Sequence, residues 1–346
     1  PWRDWVIEAF ARNMPYDRFI VEQLAGDLLP DAGRPQRIAT GFGRNHVLTT
    51  EGGIIPEEYR VEYVADRIQT AATAFMGLTL QCARCHDHKF DPISQRDYYR
   101  LFAFFNNIPD PTVPYASKKL VRVGEPTIAL RNYADESELA TLLAAKADLK
   151  AALPAKDAGK PDTAKTDTAK TDTAKPEPTK AEADAMAARL KQVDERIEAI
   201  DARTTRVMVM TDLDTPRQAH MLNRGQYDQP GDAVDAGVPA WLPPLPAGVA
   251  ANRLALARWL VDPRHPLTAR VAVNRWWEML FGRGLVETVE DFGTQGSPPT
   301  HPELLDHLAS DLIEGGWNMR PILKSLVLSA TYRQAAEAAP EAFARD

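Results

Sequence analysis

Apolar residues repeat at the three- and four-residue spacing of an amphipathic helix through most of the chain. In the first part of the chain this spacing predicts helices over residues 2–10, 15–26 and 56–77. The last two stretches begin at a proline and end at a glycine, which is typical of helix boundaries. We therefore predict a helical domain over residues 1–110, in which residues 41–55, including His46, form a loop.

The middle of the chain contains a segment with almost no apolar residues. It repeats Asp-Thr-Ala-Lys every five residues from Asp162, and helical stretches over 136–152 and 181–201 flank it. Such a segment cannot bury enough apolar surface to offset the entropy that ordering would cost. We predict that residues 111–202 form a linker and an αα-hairpin whose low-complexity tip, about 153–180, is disordered.

Beyond residue 203 the helical spacing gives way to short alternations. Residues 206–210 and 218–222 are predicted strands, and residues 223–225 a turn. A proline-rich link then leads to a block whose apolar spacing predicts three or more packed helices. Residues 203–346 are therefore expected to hold a short β segment and a second helical domain. The predicted fold class of the whole chain is mainly α.

Composition limits the classes of function. The chain has 346 residues, of which 44% are hydrophobic and 26% charged, as in a soluble globular protein. Its formal net charge of -7 argues against nucleic acid as a partner, because such proteins need a basic surface. No apolar run reaches the length of about 18 residues that a membrane span needs. Because the chain begins at Pro1 inside a predicted helix, we expect a fragment whose targeting signal lies upstream.

The chain has two cysteines, and their spacing is the most specific chemical signal in the sequence. Cys82 and Cys85 are separated by two residues, and His86 follows directly. Covalent attachment of haem c needs two thiols that reach the two vinyl groups of the porphyrin, and a histidine that reaches the iron. We predict that Cys82 and Cys85 anchor a haem c and that His86 is its proximal ligand.

Three other interpretations of this motif stay open. Together with His88, the motif could hold zinc or iron, although a single Cys-x-x-Cys pair is half of the usual structural zinc site. A redox-active dithiol is the second, although the thioredoxin-type motif begins a helix in a βαβ unit. The third is a pair of buried structural cysteines that a histidine follows by chance.

An iron bound by His86 has a second axial position. His46 in the predicted loop could reach the opposite face, and His88 is a further candidate that lies close to His86 in sequence. Met76 could also bind, although a methionine on an apolar helix face more often packs in a core. A position without a protein ligand would favour catalysis or small-ligand binding over plain electron transfer.

Other candidate residues have structural explanations as well as functional ones. The aromatic residues from Tyr98 to Phe105 could wall a haem, although such stripes usually pack in a core. A polar cleft in the last block would be formed by Arg270, Asn274, Arg275 and Asp291. The alternative for these four is a solvated face or buried ion pairs. Thr300 is predicted to cap the start of a helix.

Several long motifs resemble a pair of domains of unknown function in planctomycete proteins. The first domain is represented by Asn-Met-Pro-Tyr-Asp-Arg-Phe (13–19), Glu-Glu-Tyr-Arg-Val-Glu-Tyr (57–63) and Cys-Ala-Arg-Cys-His-Asp-His-Lys-Phe-Asp-Pro-Ile (82–93). The second is represented by residues 252–260, 268–275, 291–293, 299–305 and 329–334. The resemblance implies an exported haem-linked protein with a cytochrome-c-like domain upstream, and it carries no established activity.

These observations predict an exported c-type haem-binding protein of the periplasm or another extracytoplasmic compartment. Its role would be electron transfer or a redox-linked process, with a redox partner or an upstream cytochrome-c-like domain of the same chain. The first alternative is a haem- or metal-dependent enzyme, for example one that acts on extracellular polymers. The second is a structural or binding module in which zinc staples the motif loop. Whether the protein is an enzyme stays open.

Overall fold

Helices make up most of this computed structural model, which describes residues 1–46, 48–49, 51, 53–110, 124–153 and 179–334. The mainly α fold class with a short β segment is confirmed. Residues Pro1–Thr127 and Val207–Asp346 form one compact unit, and residues Ile128–Arg206 form another. The predicted first and last domains therefore lie within the same unit. Most of the predicted low-complexity tip, about 153–180, lies outside the described residues.

The described residues contain eleven α-helices and four short strands. The helices are α1 (Trp2–Ala11), α2 (Tyr16–Ala25), α3 (Arg34–Ala39), α4 (Pro56–Ala71), α5 (Gln95–Ala103), α6 (Tyr133–Ala152), α7 (Lys180–Arg203), α8 (Arg253–Leu260), α9 (Thr268–Phe281), α10 (Pro302–Glu314) and α11 (Met319–Leu328). The strands are β1 (Thr127–Leu130), β2 (Thr205–Met208), β3 (Ala219–Leu222) and β4 (Pro230–Val234). No described helix is both long enough and apolar enough to cross a bilayer.

Proline and glycine set the ends of α4. Pro56 occupies its first turn, and the helix continues as a π-helical turn over Ala72–Met76. Gly77 then ends it in the left-handed conformation, with φ of +60°. A β-carbon at Gly77 would lie 2.8 Å from the ring of Phe292, so this position also needs glycine for lack of space. The predicted end of this helix is confirmed.

The segment predicted to be a loop over residues 41–55 begins differently. A 3₁₀ helix over Thr40–Arg44 continues directly from α3. Gly43 fits here because its Cα faces Met210, whose sulfur would lie 2.5 Å from an added β-carbon. The prediction of a loop from residue 41 is therefore wrong for its first four residues. Glycine has a low helix propensity, but tertiary packing here favours a helical turn.

A β-hairpin formed by β3 and β4 follows the long insertion. The strands are antiparallel, pair Ala219 with Val234, and shift register between His220 and Leu222. Residues Asn223–Gly225 form a 3₁₀ turn in which Arg224 is left-handed, with φ of 53°. The predicted strand at 218–222 and the turn after it are confirmed. The sequence did not predict β4, whose residues Pro-Gly-Asp-Ala-Val lack strand propensity.

The unit formed by residues 128–206 contains α6 and α7 as an antiparallel pair, as predicted. Ion pairs join the two helices along their length: Arg203 with Asp135, Arg196 with Glu138, and Lys146 with Asp194. Val193 and Ile200 are the buried apolar residues of α7. Exposed ion pairs stabilise such a hairpin weakly, and they mainly determine its register.

The large unit has a core that combines residues from the beginning and the end of the chain. Apolar side chains of α2, α4, α5 and α8 meet in one cluster, together with Leu80 and Ala83 from the segment that carries the cysteines. A second cluster lies between α9, α10 and α11. The cysteine motif is therefore attached to the main core and is not a peripheral appendage.

A buried arginine connects distant parts of this unit. The side chain of Arg253 at the start of α8 is fully buried and donates to both carboxylate oxygens of Asp27 at 2.9 and 2.7 Å. It also donates to Asp212 at 3.0 Å and to the carbonyl of Leu24 at 2.9 Å. Two carboxylates and one carbonyl accept hydrogen bonds from the guanidinium. They compensate its positive charge, which is buried away from water.

The start of α9 uses an unexpected cap. Nδ1 of His265 accepts from the hydroxyl of Thr268 at 3.1 Å and from its backbone N–H at 3.4 Å. Burial lowers the pKa of His265 to about 4 against a weaker opposing effect of Asp262, so the ring is neutral when folded. At α10, in contrast, the predicted cap is wrong, because the Thr300 hydroxyl donates to the carbonyl of Leu285.

We predict that Arg253→Ala destabilises the chain by about 3–5 kcal/mol, because it leaves the partly buried carboxylates of Asp27 and Asp212 without their counter-charge. Chemical denaturation followed by circular dichroism measures the change. The matched control is Arg258→Ala, which removes an exposed arginine from the same helix. A similar loss of stability in both variants would contradict the assigned role of Arg253.

We predict that His265 makes stability sensitive to acid. The unfolded histidine titrates near about 6.5 and the folded one near 4, so only the unfolded chain gains a proton between these values. The contribution of neutral His265 to the free energy of unfolding is fully present above about pH 6.5. It is lost as the pH falls toward 4, and the total loss is about 3 kcal/mol. His265→Asn keeps an acceptor without the titration, so its stability should fall less steeply over this range. Equal slopes for the two proteins would refute the prediction.

Candidate functional site

The cysteine motif lies between the end of α4 and the start of α5. Cys82 belongs to a 3₁₀ turn over Gln81–Arg84, and the N–H of Cys85 donates to the carbonyl of Cys82 at 3.4 Å. Ala83 between the cysteines is fully buried, whereas both thiols are free and exposed. The turn therefore anchors its backbone in the core and presents both sulfurs to solvent. The interpretation of the motif as two buried structural cysteines is wrong.

The ring of His86 is exposed and has a defined tautomer. Its Nδ1 lies 2.6 Å from the carbonyl oxygen of Asp87, which can only accept a hydrogen bond. Nδ1 therefore carries the proton, and the lone pair of Nε2 faces away from this bond. A metal-bound histidine usually donates its other ring N–H to a carbonyl or carboxylate in this way, which orients the ring and raises its basicity.

His88 has the opposite tautomer and is turned inward. Its side chain is 5% exposed, and its Nδ1 accepts from the N–H of Asp91 at 2.9 Å and of Phe90 at 3.4 Å. Because Nδ1 accepts, the proton is on Nε2. His88 thus holds the loop that follows the motif, and binding a metal through Nε2 would require a change of tautomer.

Arg84 ties the motif to its surroundings. Its guanidinium donates to both oxygens of Glu62 at 2.8 and 2.5 Å, and to the carbonyl of Gly225 at 3.2 Å. The hydrogen bonds from Arg84 lower the pKa of Glu62 and keep this carboxylate ionised. The carbonyl of Arg84 accepts from the hydroxyl of Tyr99 at 3.0 Å and from Gln95 at 3.1 Å. Both the backbone and the side chain of Arg84 are therefore held in place by hydrogen bonds.

The aromatic residues of α5 belong to the core. Tyr98, Tyr99, Phe102 and Phe105 are each at most 3% exposed. Burial raises the pKa of Tyr99 to about 12, so its hydroxyl stays protonated and donates. The alternative in which this stripe packs in a core is confirmed. Met76 is likewise buried in the core cluster.

Asp91 connects the motif loop to the last part of the chain. It is 6% exposed, and one of its oxygens accepts from the N–H of Thr294 at 2.7 Å and from the Thr294 hydroxyl at 3.0 Å. The neighbouring N–H of Phe292 donates to the carbonyl of Gly77 at 2.7 Å. The segment around residues 291–297 therefore contacts the chain before the cysteine turn, at Gly77, and after it, at Asp91.

His46 occupies a different place from the one its predicted loop suggested. Its side chain is 1% exposed, and its Nε2 accepts from Nη2 of Arg67 at 2.7 Å. Arg67 and Arg44 both donate to the buried carboxylate of Asp110. Burial alone would raise the pKa of Asp110, but the two arginines outweigh it and lower that pKa. Binding iron through Nε2 would cost His46 a buried hydrogen bond to a charged group.

The polar residues of the last block do not assemble into one cleft. Arg270 pairs with Asp306, and Asn274 is buried with hydrogen bonds to the backbone of Val286. Arg275 donates to the carbonyls of Thr73 and Ala74, where the π-helical turn leaves acceptors free. Asp291 accepts from the N–H of Gly293. Each of these groups therefore has a structural partner: Arg270 forms a partly exposed ion pair, and the other three bond to backbone groups.

Within the part of the chain that the structure describes, no three His, Cys, Asp or Glu side chains are arranged to hold a metal ion. This finding concerns a bare ion and does not bear on haem c. A cavity of about 130 Å³ lies between the motif and α4, lined by Gln81, Arg84 and Tyr98 among others. Ligand pockets usually measure about 300–1,000 Å³. Because both cysteines are exposed, a large group joined to the thiols would lie at least partly on the surface.

Several residues of the site were missed by sequence reasoning. Gln95 and Gly225 contact the motif, yet nothing in their spacing marks them. Asp91 was part of the Lys-Phe-Asp-Pro-Ile stretch that carries the resemblance, which was a usable signal. The ion pairs of Asp110 join residues more than 40 positions apart, and local periodicity holds no information about such contacts.

Comparison with known families agrees with the resemblance. Residues 1–110 match a family model described as PSCyt2, protein of unknown function (DUF1549). Residues 252–346 match PSD1, protein of unknown function (DUF1553). The chain thus carries the two planctomycete paired domains in the expected order. No match was found among curated proteins or among solved structures.

We predict that Asp91→Ala destabilises the chain by about 1–3 kcal/mol, because it removes the buried carboxylate that accepts hydrogen bonds from the N–H and the hydroxyl of Thr294. Hydrogen exchange should rise in residues 86–93 and 291–297 together, since one carboxylate joins the two segments. Glu290→Ala, an exposed acid beside the second segment, is the control. Faster exchange in one segment alone would show that Asp91 does not connect them.

Proposed function

We propose that the chain binds one haem c through thioether bonds to Cys82 and Cys85, with His86 as the proximal iron ligand. The observation that carries the proposal is the hydrogen bond from Nδ1 of His86 to the carbonyl of Asp87, beside two exposed thiols. It leaves the Nε2 lone pair of an exposed ring available for iron. The haem would supply an iron centre that gains or loses one electron.

The residues around the thiols support covalent attachment. Because Ala83 is buried and Arg84 is held by Glu62 and Gly225, the two sulfurs lie on a short, fixed turn. A fixed turn lowers the entropy lost when both thiols are joined to one rigid ring. The surface position also leaves room for a group far larger than the cavity of about 130 Å³ beside the motif.

We propose that neither His46 nor His88 would hold the iron in the folded chain. Nε2 of His46 accepts a hydrogen bond from Arg67, and Nε2 of His88 carries the proton because Nδ1 of His88 accepts from the N–H of Asp91. A further ligand of the iron would then be a water, a small molecule or a residue from a partner. This arrangement suits a redox-linked reaction at least as well as plain electron transfer.

We propose an extracytoplasmic location, in the periplasm or an equivalent compartment, because haem c is attached outside the cytoplasm. The electron donor or acceptor would be a redox partner protein or an upstream cytochrome-c-like domain of the same chain. The exposed motif supports direct access by such a partner, since no described helix or strand covers both thiols.

A visible spectrum tests the proposal on protein that is exported from cells with a c-type haem maturation system. We expect a pyridine haemochrome of one haem per chain that survives acid–acetone extraction. The double variant Cys82→Ala, Cys85→Ala should lose the haem. His86→Ala should keep it with an altered Soret band, whereas His301→Ala, an exposed histidine elsewhere, should match the wild type.

A colourless wild-type protein would refute the haem proposal. Stoichiometric zinc or iron in that protein would favour the metal-stapled loop. If the colourless protein instead lost both free thiols reversibly on mild oxidation, the motif would be a redox dithiol.

A further inference from the structure

The hairpin formed by β3 and β4 lies against the cysteine motif. A β-carbon placed on Gly225 would be 3.1 Å from Sγ of Cys85 and 3.1 Å from Cγ of Arg84. That distance is shorter than an ordinary van der Waals contact between such atoms. The backbone of Gly225 therefore lies directly beside the Cys85 thiol, and an added β-carbon would force the side chain of Cys85 or Arg84 to shift by a few tenths of an ångström.

The turn that places Gly225 has an unusual conformation. Gly225 has φ of +71°, and Arg224 before it has φ of 53°. Residues other than glycine rarely adopt this left-handed region, because the β-carbon approaches the following carbonyl. Arg224 holds it although its side chain is exposed. Backbone strain of this kind is kept where the surrounding structure requires a particular path of the chain.

Three hydrogen bonds hold the hairpin on the motif. Nη2 of Arg84 donates to the carbonyl of Gly225 at 3.2 Å. Nε2 of Gln95 donates to the carbonyl of Arg84 and to that of Leu222, both at 3.1 Å. Leu222 is itself buried in the main core. Gln95 thus connects the motif backbone and the hairpin backbone through one amide.

We propose that this hairpin, residues 219–234, is part of the cysteine site, and that Gly225 is a positioning residue for the Cys85 thiol. A group joined to Cys85 would lie against the Arg224–Gly225 turn, and this second statement rests on the haem proposal. The hairpin lies outside residues 1–110 and 252–346, which match the two families. Neither matched region alone then contains the whole site.

The reactivity of each thiol tests the positioning role without haem. The full chain, reduced and haem-free, is treated with iodoacetamide, and the alkylation rates of Cys82 and Cys85 are measured separately by peptide mass spectrometry. In Gly225→Ala the added methyl should slow Cys85 several-fold and leave Cys82 unchanged. The control is Gly231→Ala in the same hairpin, where an added β-carbon would meet its nearest neighbour at 3.4 Å.

A second variant covers the case in which Gly225→Ala does not fold, as judged by circular dichroism. Gln95→Ala removes the amide that joins the hairpin to the motif, so Cys85 should react faster while Cys82 does not change. A change that is confined to Cys85, with Cys82 as an internal reference, is not expected from a general loss of structure. Equal changes at both thiols, or an equal effect in Gly231→Ala, would overturn the proposal.

The number of thioether bonds tests the second statement. In haem-loaded protein we expect Gly225→Ala to hold its haem through Cys82 alone, with Cys85 free to alkylate. Two intact thioethers in that variant would overturn this statement and leave the haem proposal standing. If the wild type carries no haem, the second statement fails together with the proposed function, and the alkylation rates still decide the positioning of Cys85.

Discussion

The buried guanidinium of Arg253 is the contact on which the arrangement of the large unit depends. It joins the start of α8 to Leu24 in α2, to Asp27 just after α2, and to Asp212 ahead of the hairpin. With α8 held there, its apolar face packs against the core that contains Leu80, two residues before Cys82. Arg253 therefore holds α8 against the same core in which the motif backbone is anchored.

The contacts of the motif come from three parts of the chain. The region matched by PSCyt2 supplies the thiols, His86 and the helices beneath them, and the region matched by PSD1 holds the flanking loop through Thr294 and Phe292. The β3–β4 hairpin between them contacts Cys85 through Gly225. Because these parts share one core, the two matched regions are better understood as parts of one structure than as separate modules.

Local features of the sequence predicted the helices and strands well, but they did not predict contacts between residues that are distant in the chain. Pro56 and Gly77 indicated both ends of the helix before the motif, because each acts on its own backbone. His46 was predicted to lie in a loop, and its burial depends on Arg67 and Asp110, which only the folded chain brings together. The residue types of the cysteine motif could be identified from the sequence. The tautomers of His86 and His88 could not, because they depend on which backbone groups face Nδ1 in the folded chain.

The most direct test of the covalent haem at Cys82 and Cys85 is the intact mass of the denatured protein. The chain is exported from cells with and without a c-type haem maturation system and measured under conditions that release non-covalent groups. We predict a mass increase of one haem only when the system is present, and after digestion the added mass should lie on a peptide that contains residues 82–86. Identical masses from both cells would contradict it, even if the purified protein were coloured.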